Sequence, residues 1–242
     1  MLTAFRTLTI IPIPGKDTEN FSRSLCFFPL VGALLGFVVL ILYHSAGAIG
    51  FKHPFILALL SMAIVTWLTG CLHVDGLGDA ADAFGGGRTK EEVLRILKDS
   101  RMGSFGVCVI VFDLLIKASC WQLYLDQDRM EVIVWSLVFA RSTQALMIAF
   151  LPNAREESIA APFGQGGKIV RGLTLLSFLI TVLIAAFTIS PFAAFIYGGC
   201  AVLFAAPFAL YCWKKIGGIT GDCVGAANEL AEVAVLLGGI FL

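Results

Sequence analysis

Charged side chains are scarce in this sequence: Asp, Glu, Lys and Arg make up 14% of its 242 residues, whereas ordinary soluble domains carry about 25%. The 17 basic and 17 acidic residues leave a formal net charge of zero, which gives no indication of a nucleic-acid partner. The seven cysteines include no CxxC pair, and the sequence shows no long polar segment and no visible repeat. The chain is 58% hydrophobic with a mean hydropathy of +0.90, so we expect one membrane domain over residues 1–242.

Long apolar runs dominate the chain, and a helix that crosses a bilayer needs about 20 such residues. Seven runs have this length, near residues 25–49, 54–73, 104–125, 131–151, 172–190, 191–213 and 224–242. The seventh run is interrupted by Glu229 and Glu232. The pattern predicts an all-α, polytopic membrane helix bundle of about seven transmembrane helices that contacts the lipid bilayer.

Lys and Arg are distributed unevenly between the alternate loops of these seven runs. Thirteen of them fall on one side, and only Lys52 and Arg129 fall on the other. In membrane proteins the cytoplasmic loops carry the excess of Lys and Arg. The count therefore predicts a multi-pass protein whose N-terminus and acidic segments face the cytoplasm.

The segment HVDGLGDAADAFGGG places three carboxylates, Asp75, Asp79 and Asp82, at the end of the second apolar run. A charge at the centre of a membrane-spanning helix costs about 2.5–3.5 kcal/mol, so clustered charges usually line a water-filled site or bind cations. On a helix, side chains at these spacings share one face. Carboxylates suit magnesium, which keeps water and phosphate oxygens in its remaining positions. The alternative is an ordinary solvated loop, since glycines in the segment weaken a helix.

A second polar segment follows, in which Thr89 and Glu92 have the spacing of a capping box that opens a helix. That helix ends at KDSRMGSFG, where Lys98, Asp99 and Arg101 stand beside glycines. Lys and Arg bind phosphate, and glycine lets backbone amides approach an anion. The segment therefore indicates either a phosphate-binding turn or a plain cap at the membrane surface.

The third polar segment, GGITGDCVGAANELAE, begins the last apolar run. Asp222 and Glu229 are seven residues apart and share a helix face, with Gly225 and Glu232 turned toward the same side. A helix that opens near Thr220 or Asp222 would direct its positive end at a bound anion. Small residues also favour tight helix packing, but packing alone leaves the two glutamates unexplained.

Three further charges fall inside apolar runs. Asp113 and Lys117 are four residues apart, so on a helix they can neutralise each other as a buried pair. Arg141 has no partner nearby in the sequence. An arginine at such a depth should turn inward, either to an acidic side chain or to a substrate phosphate.

Together, HVDGLGDAADAFGGGR, KDSRMGSFG and GGITGDCVGAANELAE resemble the signature segments of the cobalamin synthase family, the adenosylcobinamide-GDP ribazoletransferases. The likeness covers nearly the whole chain, including IPIPG near the N-terminus and RSLCFFPLVGALLG in the first span. Family members commonly read FLTRIPVP and HLDGLADTADG. This chain departs from them near Arg6, at Gly78 and at Ala83, but it keeps all three aspartates.

The resemblance implies a magnesium-dependent phosphotransferase of the EC 2.7.8 class in the last assembly steps of cobalamin (vitamin B12) biosynthesis, located in the cell inner membrane with its active site facing the cytoplasm. Its substrates would be adenosylcobinamide-GDP and α-ribazole or α-ribazole 5′-phosphate, and GMP would leave. The expected metal ligands are Asp75, Asp79, Asp82 and Asp222, and the expected catalytic groups are Asp82 and Asp222. The expected substrate and phosphate ligands are Lys98, Asp99, Arg101, Arg141, Glu229 and Glu232. Self-association and association with other cobalamin-pathway enzymes both remain open.

Two other functions fit parts of the pattern. A cation transporter also places acidic residues among short, glycine-interrupted spans, but most of the carboxylates here fall at span ends rather than at mid-membrane. A CDP-alcohol-type phosphotransferase acting on another nucleotide-diphosphate substrate has a similar aspartate arrangement. Its DG-x2-AR core is absent, since the chain reads DGLGDA from Asp75 onward.

Overall fold

A computed structural model of the chain describes residues 1–17, 20–99, 101–155, 161–163 and 166–242. The helices in chain order are α1 (Leu2–Leu8), α2 (Phe28–Ala48), α3 (Pro54–Leu68), α4 (Leu72–Gly86), α5 (Lys90–Ile96), α6 (Ser104–Asp126), α7 (Met130–Phe150), α8 (Gly167–Thr188), α9 (Pro191–Ile216) and α10 (Gly221–Gly238). Short 3₁₀ segments occur at Phe21–Phe27, Ala161–Phe163 and Gly239–Phe241. Within the described ranges the chain forms no β-strand beyond one isolated bridge, between Asn153 and Ile219. The all-α prediction is confirmed.

Among the described residues, six helices are long and apolar enough to cross a membrane: α2 with the 3₁₀ segment before it, α6, α7, α8, α9 and α10. Helices α3 and α4 pass the same test only as a pair, and they are bent by 86° at the break between them. The bundle therefore has six crossings, or seven if the bent pair is one span. This confirms the predicted polytopic helix bundle.

Contacts at the two ends of α6 show that the bent pair carries the chain across the bundle. Just before α6, Gly103 donates its backbone N–H to Asp82 of α4. Just after α6, Asp128 accepts a hydrogen bond from Tyr43 near the end of α2. The end of α4 and the end of α2 thus lie at opposite ends of α6, so α3 and α4 together traverse the bundle.

The break between α3 and α4 corrects the prediction of one continuous span over residues 54–73. Gly70 and Cys71 have positive φ values of 60° and 59°, a left-handed conformation that glycine adopts readily and cysteine does not. The N-terminal segment is fastened at this point, because the N–H of Ile10 donates to the carbonyl oxygen of Leu68 at 2.8 Å. The aspartates consequently lie on a separate helix.

Arg6 holds together the segment that follows α1. Its Nε donates to the carbonyl oxygen of Ile13 at 2.9 Å, and its Nη2 donates to that of Gly15 at 2.7 Å. The guanidinium also lies 3.1 Å from Asp17. The role of Arg6, at the point where the sequence departs from the family pattern, is therefore to fold the IPIPG segment back onto α1.

Helices α7 and α10 form the centre of the bundle, and α8 and α9 lie at its outside. Most of α7 is buried, and Phe139 is fully enclosed. In contrast, Phe187 of α8 and Phe195 of α9 are exposed. Exposed apolar side chains on long apolar helices are typical of a lipid-facing surface. This arrangement keeps the polar face of α10 inside the bundle.

Candidate active site

Two glycines bring α4 and α10 into close contact. A Cβ added at Gly76 would lie 2.8 Å from the carbonyl oxygen of Asp222 and 3.0 Å from its Cα. A Cβ added at Gly225 would lie 3.2 Å from the carbonyl oxygen of Leu72 and 3.3 Å from the Cα of His73. Glycines allow helix backbones to approach closely in this way. The same packing brings the acidic residues of the first and third polar segments together.

Asp79 belongs to a group of four carboxylates contributed by these two helices. The charges of Asp75, Asp82 and Asp222 all act on it. Asp75 and Asp222 also line a common cavity. Like charges near one another repel, so a cation beside these carboxylates relieves that repulsion.

Asp222 lies in the first turn of α10, which opens where the sequence predicts. Thr220 is the N-cap residue, and its Oγ1 accepts a hydrogen bond from the N–H of Cys223 at 3.3 Å. The same hydroxyl donates to Oδ2 of Asp222 at 3.1 Å. The capping residue therefore also orients the carboxylate.

Asp82 caps the start of α6. Its Oδ2 accepts a hydrogen bond from the backbone N–H of Gly103 at 2.6 Å, and its Oδ1 accepts one from Gly106 at 2.9 Å. A Cβ at either glycine would collide with this carboxylate. The glycines of KDSRMGSFG thus let backbone amides approach an anion, as predicted, but in this structure the anion is Asp82 of the same chain.

In the part of the chain that the structure describes, the carboxylates have the chemistry of magnesium ligands but do not form a closed metal cluster. Among the described residues, no group of three or more His, Cys, Asp or Glu side chains is arranged to hold a metal ion. Magnesium is usually bound by only one or two carboxylates, with waters and substrate phosphates in its other positions. Asp75, Asp79 and Asp222 provide carboxylates of this chemistry, whereas both oxygens of Asp82 already accept backbone hydrogen bonds.

The residues of the KDSR turn lie near the surface beside the start of α6. Arg101 donates through Nε and Nη2 to the two carboxylate oxygens of Asp99, at 2.9 and 2.7 Å. These hydrogen bonds lower the pKa of Asp99 to about 2. Lys98 is exposed, and Ser100 lies outside the described residues. The turn therefore presents cations to solvent rather than to the cavity.

A buried ion network contains three of the other predicted ligands. Lys117 Nζ lies 2.5 Å from Glu229, 3.1 Å from Glu232 and 3.8 Å from Asp113. Arg141 Nη1 donates to Oε2 of Glu232 at 2.8 Å. The predicted pair of Asp113 and Lys117 is confirmed, and Arg141 turns inward to an acidic side chain, one of its two predicted alternatives.

Arg141, Glu229 and Glu232 are not among the described residues that line the cavity beside Asp75 and Asp222. Each of the three is almost completely buried and paired with an opposite charge. Breaking a buried pair is costly because it leaves an uncompensated charge. The structure thus gives the second acidic face of α10 a packing partner, and we leave these residues out of the proposed substrate site.

Sequence reasoning missed Arg155 as a site residue, because it counted this arginine only as a loop charge. Its Nη2 lies 3.6 Å from Oδ2 of Asp222, and its buried Nε has no hydrogen-bond partner among the described residues. Two hydrogen bonds fix its loop to the segment before α10, from the N–H of Ala154 to Ile219 at 2.8 Å and from the N–H of Ile219 to Pro152 at 2.9 Å. The loop therefore holds a cation beside the carboxylates.

The fold and site define a polytopic, all-helical membrane protein with clustered carboxylates at one end of its bundle. The family model described as cobalamin-5-phosphate synthase matches residues 1–240. The chain belongs to this family, which confirms the resemblance seen in its three polar segments.

Relatives named adenosylcobinamide-GDP ribazoletransferase match the chain over nearly its full length. The protein of Chlorobium chlorochromatii is 38% identical over 100% of this chain and 96% of its own. The protein of Chlorobaculum tepidum is 35% identical over 98% and 93%, and that of Azorhizobium caulinodans is 34% identical over 97% and 92%. No solved structure matches the chain. By their names, these relatives are transferases.

Proposed function

We propose that this protein joins adenosylcobinamide-GDP to α-ribazole or α-ribazole 5′-phosphate, giving adenosylcobalamin or its 5′-phosphate and GMP. The family and the names of the relatives support this substrate pair. The observation that carries the site is the close approach of α4 and α10 at Gly76, which groups Asp75, Asp79 and Asp222. Transfer between charged phosphates needs such a group to hold a metal and accept a proton.

In the proposed reaction, the ribazole hydroxyl oxygen bonds to the phosphorus that carries cobinamide. The bond from that phosphorus to the bridging diphosphate oxygen breaks, and GMP leaves with that oxygen. Asp222 takes the hydroxyl proton, because it lines the cavity and is oriented by Thr220. Asp82, predicted as both a ligand and a catalytic group, is proposed to act mainly by fixing α6 to α4.

Asp75 and Asp79 are the proposed magnesium ligands, with Asp222 beside them. When bound, magnesium neutralises charge on the diphosphate and on departing GMP. Two carboxylates are enough to bind magnesium, since substrate phosphates and waters occupy its other coordination positions. The proposed site therefore becomes complete only when the nucleotide substrate is present.

Arg155 is the proposed ligand of the substrate diphosphate. Its separation of 3.6 Å from Asp222 is too long for a hydrogen bond, and its Nε is unpaired among the described residues. A guanidinium binds phosphate through two parallel hydrogen bonds. Lys98 and Arg101 are proposed to attract the anionic substrate from the surface, with Asp99 orienting Arg101.

We place the acidic end of the bundle, with the N-terminus, on the cytoplasmic side of the cell inner membrane. The excess of Lys and Arg in the loops of that end supports this orientation. The ends of α9 and α4 meet there, since Lys215 Nζ donates to the carbonyl oxygen of Arg88 at 2.8 Å. Charged substrates would then reach the carboxylates from the aqueous cytoplasm.

The test is a two-substrate assay on membranes that contain the protein, in which GMP and cobalamin are both measured. Asp79→Asn and Asp222→Asn should each lower the rate by about 100-fold or more. Asp126→Asn, at the opposite end of α6, is the matched control and should leave the rate within about twofold. A chelator should stop the reaction and added magnesium should restore it.

Two results would overturn the proposal. The first is an unaltered rate in both Asp79→Asn and Asp222→Asn, which would remove the carboxylates from the chemistry. The second is CMP release from CDP-diacylglycerol without GMP release from adenosylcobinamide-GDP, which would favour the CDP-alcohol alternative.

A further inference from the structure

A small cavity lies where α4, α7, α10 and the N-terminal segment meet. Its volume is about 110 Å³, and its apolar wall includes Leu8, Phe28 and Ile148. A cavity of about 150 Å³ accommodates benzene, so this one matches part of an aromatic ring. It is far too small for a corrinoid or a guanosine nucleotide.

Gln144 adds an unsatisfied polar group to this apolar wall. The side chain is 3% exposed, and its Nε2 lies 3.3 Å from Nε2 of His73. Its Oε1 has no hydrogen-bond partner among the described residues. A buried acceptor without a partner is destabilising, so the site favours a ligand that donates a hydrogen bond here.

Asp75 and Asp222 line the same cavity. In the proposed reaction Asp222 accepts the proton of the attacking hydroxyl, so the molecule that carries this hydroxyl must approach the cavity. The cavity thus combines an apolar wall, an acceptor for a sugar hydroxyl and the proposed base. Of the two proposed substrates, the ribazole is the one that carries an apolar, dimethylated benzo ring on the same small molecule as the attacking hydroxyl.

We propose that this cavity is the binding site for the benzimidazole end of the nucleophilic substrate. The apolar outer edge of the ring packs between Phe28 and Ile148, and Gln144 accepts a hydrogen bond from a ribose hydroxyl. The corrinoid nucleotide stays outside, on the side of Arg155. The assignment rests on the proposed function, because it takes the identity of the nucleophile from it.

Ile148 is the residue through which the cavity would select the ring. It lies one helical turn beyond Gln144 on the same face of α7, and it is buried. Removing part of its side chain enlarges the space that meets the ring edge, and adding volume there closes it. A change of one methylene in an apolar pocket alters discrimination by about 10-fold to 200-fold.

The test measures KM for each substrate separately in Ile148→Ala, Ile148→Phe and Gln144→Leu. Ile148→Phe and Gln144→Leu should raise KM for α-ribazole by about 10-fold and leave KM for adenosylcobinamide-GDP within about twofold. Ile148→Ala should change the ratio of kcat/KM for α-ribazole to kcat/KM for the unsubstituted benzimidazole riboside by about 10-fold. Ile184→Phe, on the lipid-facing side of α8, is the control and should change neither constant.

Equilibrium dialysis of α-ribazole against the purified wild-type and Ile148→Phe proteins gives a second measurement that needs no catalysis. Weaker binding to Ile148→Phe supports the site even if that variant is inactive. Equal binding to both proteins, or a rise confined to KM for adenosylcobinamide-GDP, overturns the assignment while leaving the proposed reaction intact. A wild-type protein that binds α-ribazole but forms no cobalamin contradicts the proposed function and not the cavity.

Discussion

Asp82 and Gly103 join the aspartate helix to the helix that follows it, because Oδ2 of Asp82 accepts the backbone N–H of Gly103 at 2.6 Å. The other carboxylate oxygen accepts the N–H of Gly106. A negative charge at a helix N-terminus is also stabilised by the helix dipole. Asp82 therefore belongs to the carboxylate group and at the same time fixes the position of α6.

Removing this cap should destabilise the protein whether or not magnesium is present. We expect Asp82→Ala to lower the free energy of unfolding by about 1–2 kcal/mol and to lower the rate as well. Asp82→Asn, which keeps one carbonyl acceptor, should lose less stability. Thermal unfolding in detergent, with and without magnesium, measures this. If Asp82 were only a metal ligand, Asp82→Ala would be at least as stable as the wild type without magnesium, because one of several repelling charges would have been removed.

The close approach of α4 to α10 should be sensitive to one methyl group. In Gly76→Ala the new Cβ would meet the backbone of Asp222, so α10 must shift and the carboxylates must separate. We expect a fall in rate of about 100-fold, the effect of displacing a reacting group by about 1 Å. Gly199→Ala on α9 is the matched control, because a Cβ there meets nothing within 4 Å. Equal rates in both variants would contradict this role of Gly76.

Arg155 should affect the nucleotide substrate specifically. Loss of hydrogen bonds to a charged group costs about 1.5–3 kcal/mol, so Arg155→Gln should lower kcat/KM for adenosylcobinamide-GDP by about 10-fold to 100-fold. Arg155→Lys should retain only part of the wild-type kcat/KM for adenosylcobinamide-GDP, since an ammonium cannot bind phosphate bidentately. Steady-state kinetics with each substrate varied in turn provide the measurement. Arg129→Gln, at the far end of the bundle, serves as the control, and an equal loss there would point to a general charge effect.

The buried ion network should govern stability rather than substrate binding. Arg141→Met leaves Glu232 without one of its two cationic partners, and breaking a buried pair costs about 3–5 kcal/mol. We expect the double variant Arg141→Met/Glu232→Gln to regain part of that loss, as measured by denaturation in detergent. An Arg141→Met protein of normal stability that fails to bind adenosylcobinamide-GDP would return Arg141 to the substrate site.

Local signals in the sequence are the ones that the structure reproduces. The capping box is present, with Thr89 accepting from the N–H of Glu92 and the Glu92 carboxylate accepting from the N–H of Thr89. The last helix opens after Thr220, which is one of the two predicted positions. Each of these features depends on residues within one helical turn, so periodicity and residue type determine it.

Contacts between segments that are distant in the sequence could not be predicted from these local patterns. The pairing of Glu229 with Lys117 joins α10 to α6, and the approach of Arg155 to Asp222 depends on two loops lying side by side. Helix periodicity places Glu229 on the same face as Asp222, but it does not state which neighbour that face meets. Hydropathy also did not reveal the break at Gly70, because no charged residue interrupts the apolar run before Asp75.

The bend after α3 has a consequence for how the bundle is completed. The 15 residues of α3 extend about 22 Å, less than the roughly 30 Å of hydrocarbon that a straight span must cross. After the 86° turn the chain continues in α4, which packs against α10 at Gly76 and against α6 at Gly78. The aspartate helix therefore supplies the remainder of a crossing that α3 leaves short, so one short helix both completes the wall of the bundle and carries the carboxylates.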